Sequence, residues 1–516
     1  MDLRHLVAGL LILAVPVGAA SCSDSAVANI LATSDGGKGG SDSGDTPLDD
    51  AGNPIEDDSG TPGKDSGGNP DSGPVVGATQ LATGSIGILG ITEDDYVLYY
   101  TTVGATDSLN IVSLAGGAPV VLAPTLGAND VVAIDGKVVA FWIGTDATTG
   151  IGTMSLWTKA GGIKAVGAGS RAGIFAATAD AARIAYSSNA TAAGTEVLIG
   201  NPAINPPSTS ILTVAQAGTG CDVTLKFVGA RLFSSTCAGA ATTATIRTFT
   251  AANVIQSVET VASPGFMATD TAGTHVFVKK NAAAGNATVK TIPATGAVTS
   301  VTMDTAVASG VILPDGSNVI YRTSAQALKR SPTAAGAPVT LIPTGVRAVL
   351  DYSPDFGFAM VFSNPPDTAN TNVTRIDVQL ASTAAAGTLT PLVATSIGAP
   401  VGFTSNGANV VYLTDLPATG APLGTLKARG TAAGSTEKEI AKLVAAPEMI
   451  PGGSKVVFAD NPQPVGQGVG VDIKVADVAG AGTPTVVAPQ VELGFYVTKT
   501  MLIYTTPAGL YTKALP

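Results

Sequence analysis

Few residues in this chain have the type and spacing to do chemistry. Cys221 and Cys237 bracket the segment CDVTLKFVGARLFSSTC. It reads as one hairpin. With Val228-Gly229-Ala230 as a three-residue loop, Phe227 faces Arg231 and Cys221 faces Cys237, so a cross-strand disulfide is expected. Closing a loop of about 17 residues stabilises by roughly 3 kcal/mol in the chain-entropy account. A metal or redox pair is disfavoured, because neither a C-x-x-C spacing nor further ligands are visible. His275 lies two residues before Phe277, on the same strand face, and reads as a structural histidine rather than a base. Asp94, Asp95, Asp135, Asp180, Asp315 and Asp355 recur before β-rich runs. Turn chemistry explains them, and a cation-binding acidic rim is the alternative. Trp142 and Trp157 read as core, with a sugar-stacking platform as the alternative. No G-x-S-x-G elbow or phosphate loop is present, and Gly466-x-Gly468-x-Gly470 is not a dinucleotide fingerprint. No catalytic residue, metal ligand or cofactor is assigned.

Composition narrows the classes further. The chain has 516 residues, 45% of them hydrophobic, enough to bury large cores. Its net charge is -11, with no Lys/Arg cluster, which argues against binding nucleic acid through phosphate neutralisation. Three Cys exclude a disulfide-dense scaffold. Two His leave little for histidine catalysis.

Residues 1–21 have the layout of an export signal. Arg4 precedes an apolar run from Leu6 to Val17, followed by Gly18-Ala19-Ala20-Ser21 and then Cys22. The apolar run falls short of the ~20 residues a membrane-spanning helix needs. The segment resembles a bacterial lipoprotein signal. That resemblance implies that Cys22 is lipidated, becomes the first mature residue and holds the protein at the membrane. Ser23 after the Cys fits outer-membrane delivery in that family. Cleavage after Ala20, leaving a periplasmic or secreted protein, is the alternative, and an uncleaved anchor a third. Cysteine arithmetic favours lipidation, since Cys221 and Cys237 can pair and leave Cys22 over.

Residues 22–77 form a separate stretch, of which 34–74 are Gly, Ser, Asp and Pro with almost no apolar residues. From 23 to 77 there are 11 acidic residues against Lys38 and Lys64, so this stretch holds most of the negative charge. It reads as a disordered tether, averaging roughly 40 Å end to end as a flexible coil. It contains no EF-hand spacing.

Residues 78–516 repeat. Turn signals lead into a β-branched run carrying one aromatic: Tyr99, Phe141, Tyr186, Phe233, Phe277, Tyr321, Phe362, Tyr412, Phe458 and Tyr504, spaced 41 to 50 residues apart. A second strand follows each, and often a third apolar run. Helical periodicity is nearly absent; Thr436 to Val444 is the best candidate. Ten units of about 45 residues predict an all-β chain built as a β-propeller. Pro314-Asp315-Gly316 leading to Tyr321, with Ser353-Pro354-Asp355 and Pro451-Gly452-Gly453, resembles the blade repeat of TolB-type (WD40-like) propellers. The last unit stops after Tyr511-Thr512-Lys513 without an outer strand, and Ala78 to Gly84 can supply it. One ring, two lobes and another β-solenoid remain open.

The function expected is that of an envelope lipoprotein whose propeller binds protein or glycan without catalysis. A propeller hydrolase or lyase using channel carboxylates is the alternative, and a structural surface protein without a dedicated ligand a third.

Overall fold

The computed structural model describes residues 27–29 and 77–516, except for 105, 192–193, 202–208, 216–222, 238–242, 253, 263–266, 280–285, 295, 305, 364–376, 394–396, 418–422, 466–467, 481 and 493. Among the described residues there is no helix. Every strand pairing is antiparallel, and successive strands within a sheet are neighbours in sequence, apart from the two N-terminal strands described below. The strands fall into four-stranded meanders that match the sequence repeats. In order they span 85–126, 131–171, 175–215, 224–262, 267–304, 307–342, 348–391, 397–444, 445–492 and 495–514. They are called units one to ten. Unit ten has only three strands of its own.

The missing strand comes from the other end of the chain. Thr79–Thr83 pairs with Gly509–Ala514, as the truncated last unit predicted. Gly509 is needed there, because a Cβ would meet the Ala82 carbonyl oxygen. Val27–Asn29, within the stretch read as a tether, pairs with Val131–Ala133 of unit two.

Each second strand carries its unit's aromatic, and nine of those ten aromatics are at most 2% exposed. Both faces of the second strand are buried, so it reads as a continuous apolar run rather than an alternating one. The core is therefore divided among the interfaces between units. One cluster joins units one and two through Leu98, Leu109, Val139 and Trp157. The series continues without a break to units nine and ten, which meet through Val457, Ile473, Leu502 and Tyr504. A further cluster joins unit ten back to unit one through Leu81, Tyr99, Ile503 and Leu510.

Three details differ from the sequence expectation. Most of the aromatics face the preceding unit, but Phe233, Phe277 and Phe362 face the following one. In unit four, Leu232 takes the backward place instead. The Cys221–Cys237 hairpin has a two-residue turn, with Val228 opposite Arg231 and Phe227 opposite Leu232. Gly229 at φ +57 supplies the left-handed first turn position that such a turn requires. The register expected to face the two cysteines is thus shifted by one residue, which reverses side-chain faces. Cys221 itself lies outside the described residues. Finally, 436–444 is no helix. Glu437–Met449 is one long strand that ends unit eight and begins unit nine. Leu443 and Ala446 kink it, at φ +56 and +44.

Two stability outcomes follow. Leu81 is 4% exposed in the cluster joining the last unit to the first. Leu81→Ala should cost about 2–4 kcal/mol in denaturant unfolding, through the lost burial and the cavity left behind. Leu443→Gly should stabilise by about 0.5–1 kcal/mol, because it relieves the left-handed backbone and removes an exposed apolar side chain.

Candidate functional site

Four strands reverse direction an even number of times between one inner strand and the next. All first strands therefore run the same way, and all turns between first and second strands lie at one end of the units. Four of those turns share a construction. The hydroxyls of Thr92, Thr178, Ser353 and Thr404 donate to Asp94, Asp180, Asp355 and Asn406 at 2.7, 2.6, 2.6 and 2.8 Å. The same hydroxyls accept the backbone N–H of Tyr96, Arg183, Phe358 and Asn409 at 3.1, 3.0, 2.9 and 3.0 Å. Asp315 of unit six accepts the N–H and hydroxyl of Ser317 at 2.9 and 2.8 Å. These bonds hold the carboxyls of Asp180, Asp315 and Asp355 below the ordinary range. The carboxylates of Asp94, Asp180, Asp315 and Asp355 are occupied in holding turns together, and Asp95 takes the left-handed position of the unit-one turn at φ +64. The signal S/T-x-D/N was present in the sequence as Thr92-Glu93-Asp94, Thr178-Ala179-Asp180, Ser353-Pro354-Asp355 and Thr404-Ser405-Asn406.

His275 belongs to the same system. In unit five, Asp270 replaces the turn hydroxyl and accepts from Thr274 N and His275 N at 2.8 and 3.2 Å. Its other oxygen meets Thr274 Oγ1 at 2.6 Å and His275 Nδ1 at 2.9 Å. Burial pushes Asp270 up, but these bonds outweigh it and hold the carboxyl below its usual range. Gly316 of unit six, at φ +71, lies over the pair; a Cβ there would come within 2.8 Å of both side chains. His275 thus fastens a turn at the seam between units five and six.

A second set of ionisable side chains lies on the first strands, near the end marked by these turns. Asp135 of unit two accepts the N–H of Ala177 of unit three at 2.6 Å. Burial raises its carboxyl; that N–H and Lys226 of unit four lower it, while Glu93 reinforces the rise. Asp351 of unit seven is likewise raised by burial. Glu448 of unit nine is raised to about 7, also by burial. Burial and the charge of Glu448 raise Tyr496 of unit ten. Tyr496 keeps 38% of its surface accessible, and Glu448 is exposed too. Among the described residues no three His, Cys, Asp or Glu side chains stand close enough to hold a metal ion. Of this set only Asp135 was singled out from sequence; Asp351, Glu448 and Tyr496 needed strand positions to be seen.

Both tryptophans are core. Trp142 is fully buried and donates to Ser170 Oγ at 2.9 Å. Trp157 is 4% exposed and packs against Tyr96, ring centroids 4.9 Å apart. Cys22 and Cys221 lie outside the described residues, and Cys237 ends the second strand of unit four.

No family model matches this chain, and no curated protein does. Among solved structures it is similar to a eukaryotic initiation factor (12% identity, TM-score 0.41), over 79% of this chain and 88% of that one. It is similar to a TolB protein of Agrobacterium tumefaciens (14%, TM-score 0.27), over 54% of this chain and all of that one. Prolyl oligopeptidase B of Galerina marginata is a third (10%, TM-score 0.37), over 77% and 55%.

The raised carboxyl of Glu448 has a consequence for stability. A group whose folded pKa is raised binds its proton more tightly when folded. Its penalty is absent below the unfolded value near 4.5 and grows as pH rises through about 7. Glu448→Gln should therefore stabilise more at pH 8 than at pH 4. The difference should be about 1 kcal/mol or less, because solvent screens this exposed side chain. Equal effects at both pH values in urea titrations would contradict the assignment.

Proposed function

We propose that this chain is a ten-bladed β-propeller, closed by Thr79–Thr83 and held in the cell envelope through a lipidated Cys22. In this reading it is a binding module for protein or glycan. The succession of inter-unit cores, with Leu81 and Leu510 joining the last unit to the first, supports one ring over two lobes. Two separate rings would require units within the chain, not only its ends, to close on each other.

The observation that carries the binding role is a difference between the two ends. At one end, the turns between first and second strands are short, and four of them are built alike. At the other, the connections between second and third strands vary widely. Two residues separate Val103 from Thr106, and thirteen separate Ser363 from Asp377. A rigid scaffold with variable loops gathered at one end is the arrangement in which recognition concentrates. We assign the partner-binding face to that end and the structural role to the other.

A second reading, a hydrolase or lyase, is favoured by one observation. Glu448 has a carboxyl near 7, suited to general acid or base catalysis at neutral pH. It predicts activity that falls on Glu448→Gln, whereas the binding reading predicts unchanged partner affinity.

Two measurements test the proposal. Palmitate should label the wild type but not Cys22→Ala in a lipoprotein-competent bacterium; an unlabelled wild type in the periplasm or medium would contradict the anchor. A photo-crosslinking residue between 364 and 376 should capture an envelope component in intact cells, while one at Asn406 should not. Equal capture from both positions would contradict the assignment of ends.

A further inference from the structure

We propose that the seam between the closing strand and unit one is a binding site for a neutral sugar residue. The observation is a repeat position that is plugged in two units and open in a third.

In units six and eight the second-strand tyrosine is closed off by a carboxylate and a lysine. The Tyr321 hydroxyl donates to Asp304 Oδ2 at 3.3 Å, and Lys329 binds the same oxygen at 2.7 Å. The Tyr412 hydroxyl donates to Glu437 Oε2 at 2.5 Å, and Lys427 binds the other oxygen at 2.6 Å. In both cases the lysine stands directly opposite the tyrosine on the third strand, and the acid comes from an outer strand.

Unit one has the tyrosine without the plug. Opposite Tyr99 stands Asn110. Neither the outer strand of the preceding unit, Thr79–Thr83, nor unit one's own outer strand, Val120–Leu126, contains an acid. In place of a plug there is a groove of about 400 Å³, lined by Gln80, Leu81, Ala82, Thr83, Tyr99, Thr101, Asn110 and Pro119. That volume is within the range of small-molecule pockets.

The groove is chemically built rather than merely vacant. Asn110 is 6% exposed and its amide nitrogen is fully committed. It donates to Thr101 Oγ1 at 3.2 Å, to the Ser108 carbonyl at 2.9 Å and to Ser108 Oγ at 3.1 Å. This fixes the amide orientation and turns its oxygen away from those partners. Among the described residues neither Asn110 Oδ1 nor the Tyr99 hydroxyl has a hydrogen-bond partner, although both residues are nearly buried. Leaving such groups unpaired in a core is unfavourable, whereas lining a groove they can be met by a ligand.

The lining selects the ligand class. None of the eight residues is charged, so a charged ligand would lose its hydration without a counter-charge. Tyr99, Thr101, Thr83, Asn110 and Gln80 offer hydroxyl and amide groups, while Leu81, Ala82 and Pro119 offer apolar contact. A hexose ring presents that combination, with hydroxyls around its edge and C–H groups on its faces. This site does not depend on the loop-bearing end assigned above, and its failure would leave that assignment standing.

The test is saturation-transfer NMR on the full mature chain with glucose, galactose, mannose and N-acetylglucosamine at millimolar concentration. At least one sugar should receive saturation. Tyr99→Phe, which removes only the hydroxyl, should weaken binding by about tenfold. Thr83→Asp, which places an acid on the preceding unit's outer strand as in unit six, should abolish it, with both variants melting as the wild type does. No transfer to any of the four sugars would overturn the proposal, as would a dissociation constant unchanged by both substitutions.

Discussion

Each four-stranded unit has two apolar faces, and neither can be left in water. That constraint organises the molecule. A sheet such as Asn318–Thr323 with its neighbours buries Tyr321 against unit five and Ile320 against unit six's other neighbour, unit seven. A unit satisfied on one side still needs a partner on the other, so a linear stack ends with two wet faces. Here the chain ends share one sheet, and Leu81 and Tyr99 meet Ile503 and Leu510. The outer edges are managed locally. Pro119, Pro338 and Pro484 stand at the start of outer strands, where a missing N–H discourages further pairing.

The repeat was legible because a strand buried on both faces demands β-branched and aromatic residues without interruption, and such runs stand out against Gly- and Thr-rich connections. The supply of the last outer strand from 78–84 was legible for the same reason, since the final unit plainly stopped short. What spacing could not give was parity. Moving an aromatic by one residue sends it to the opposite interface, as Leu232 and Phe233 show. Parity also governed the Cys221–Cys237 hairpin, where one turn residue decides which side chains face each other. In 436–444, tertiary pairing with Gly424–Gly430 overrode the helix preference of its Glu, Lys and Ala residues.

The functional residues divide along similar lines. Of the carboxylates that recur before the second strands, Asp94, Asp180, Asp315 and Asp355 prove to be scaffold, each bonded to a Ser or Thr two residues away. Glu448 and Tyr496 carry the more unusual electrostatics, yet they sit in ordinary-looking runs, Ala445-Ala446-Pro447-Glu448-Met449 and Phe495-Tyr496-Val497. The Tyr99 groove is still less visible from sequence. It is defined by an acid that is missing from Thr79–Thr83 while present in the corresponding seam of unit six.

The proposed ring has ten units sharing one cycle of interfaces. Cryo-electron microscopy of the chain tests it. End-on class averages should show ten radial units around one central opening, with no gap between the first and last. Averages showing two separate smaller rings, or an open arc, would contradict it.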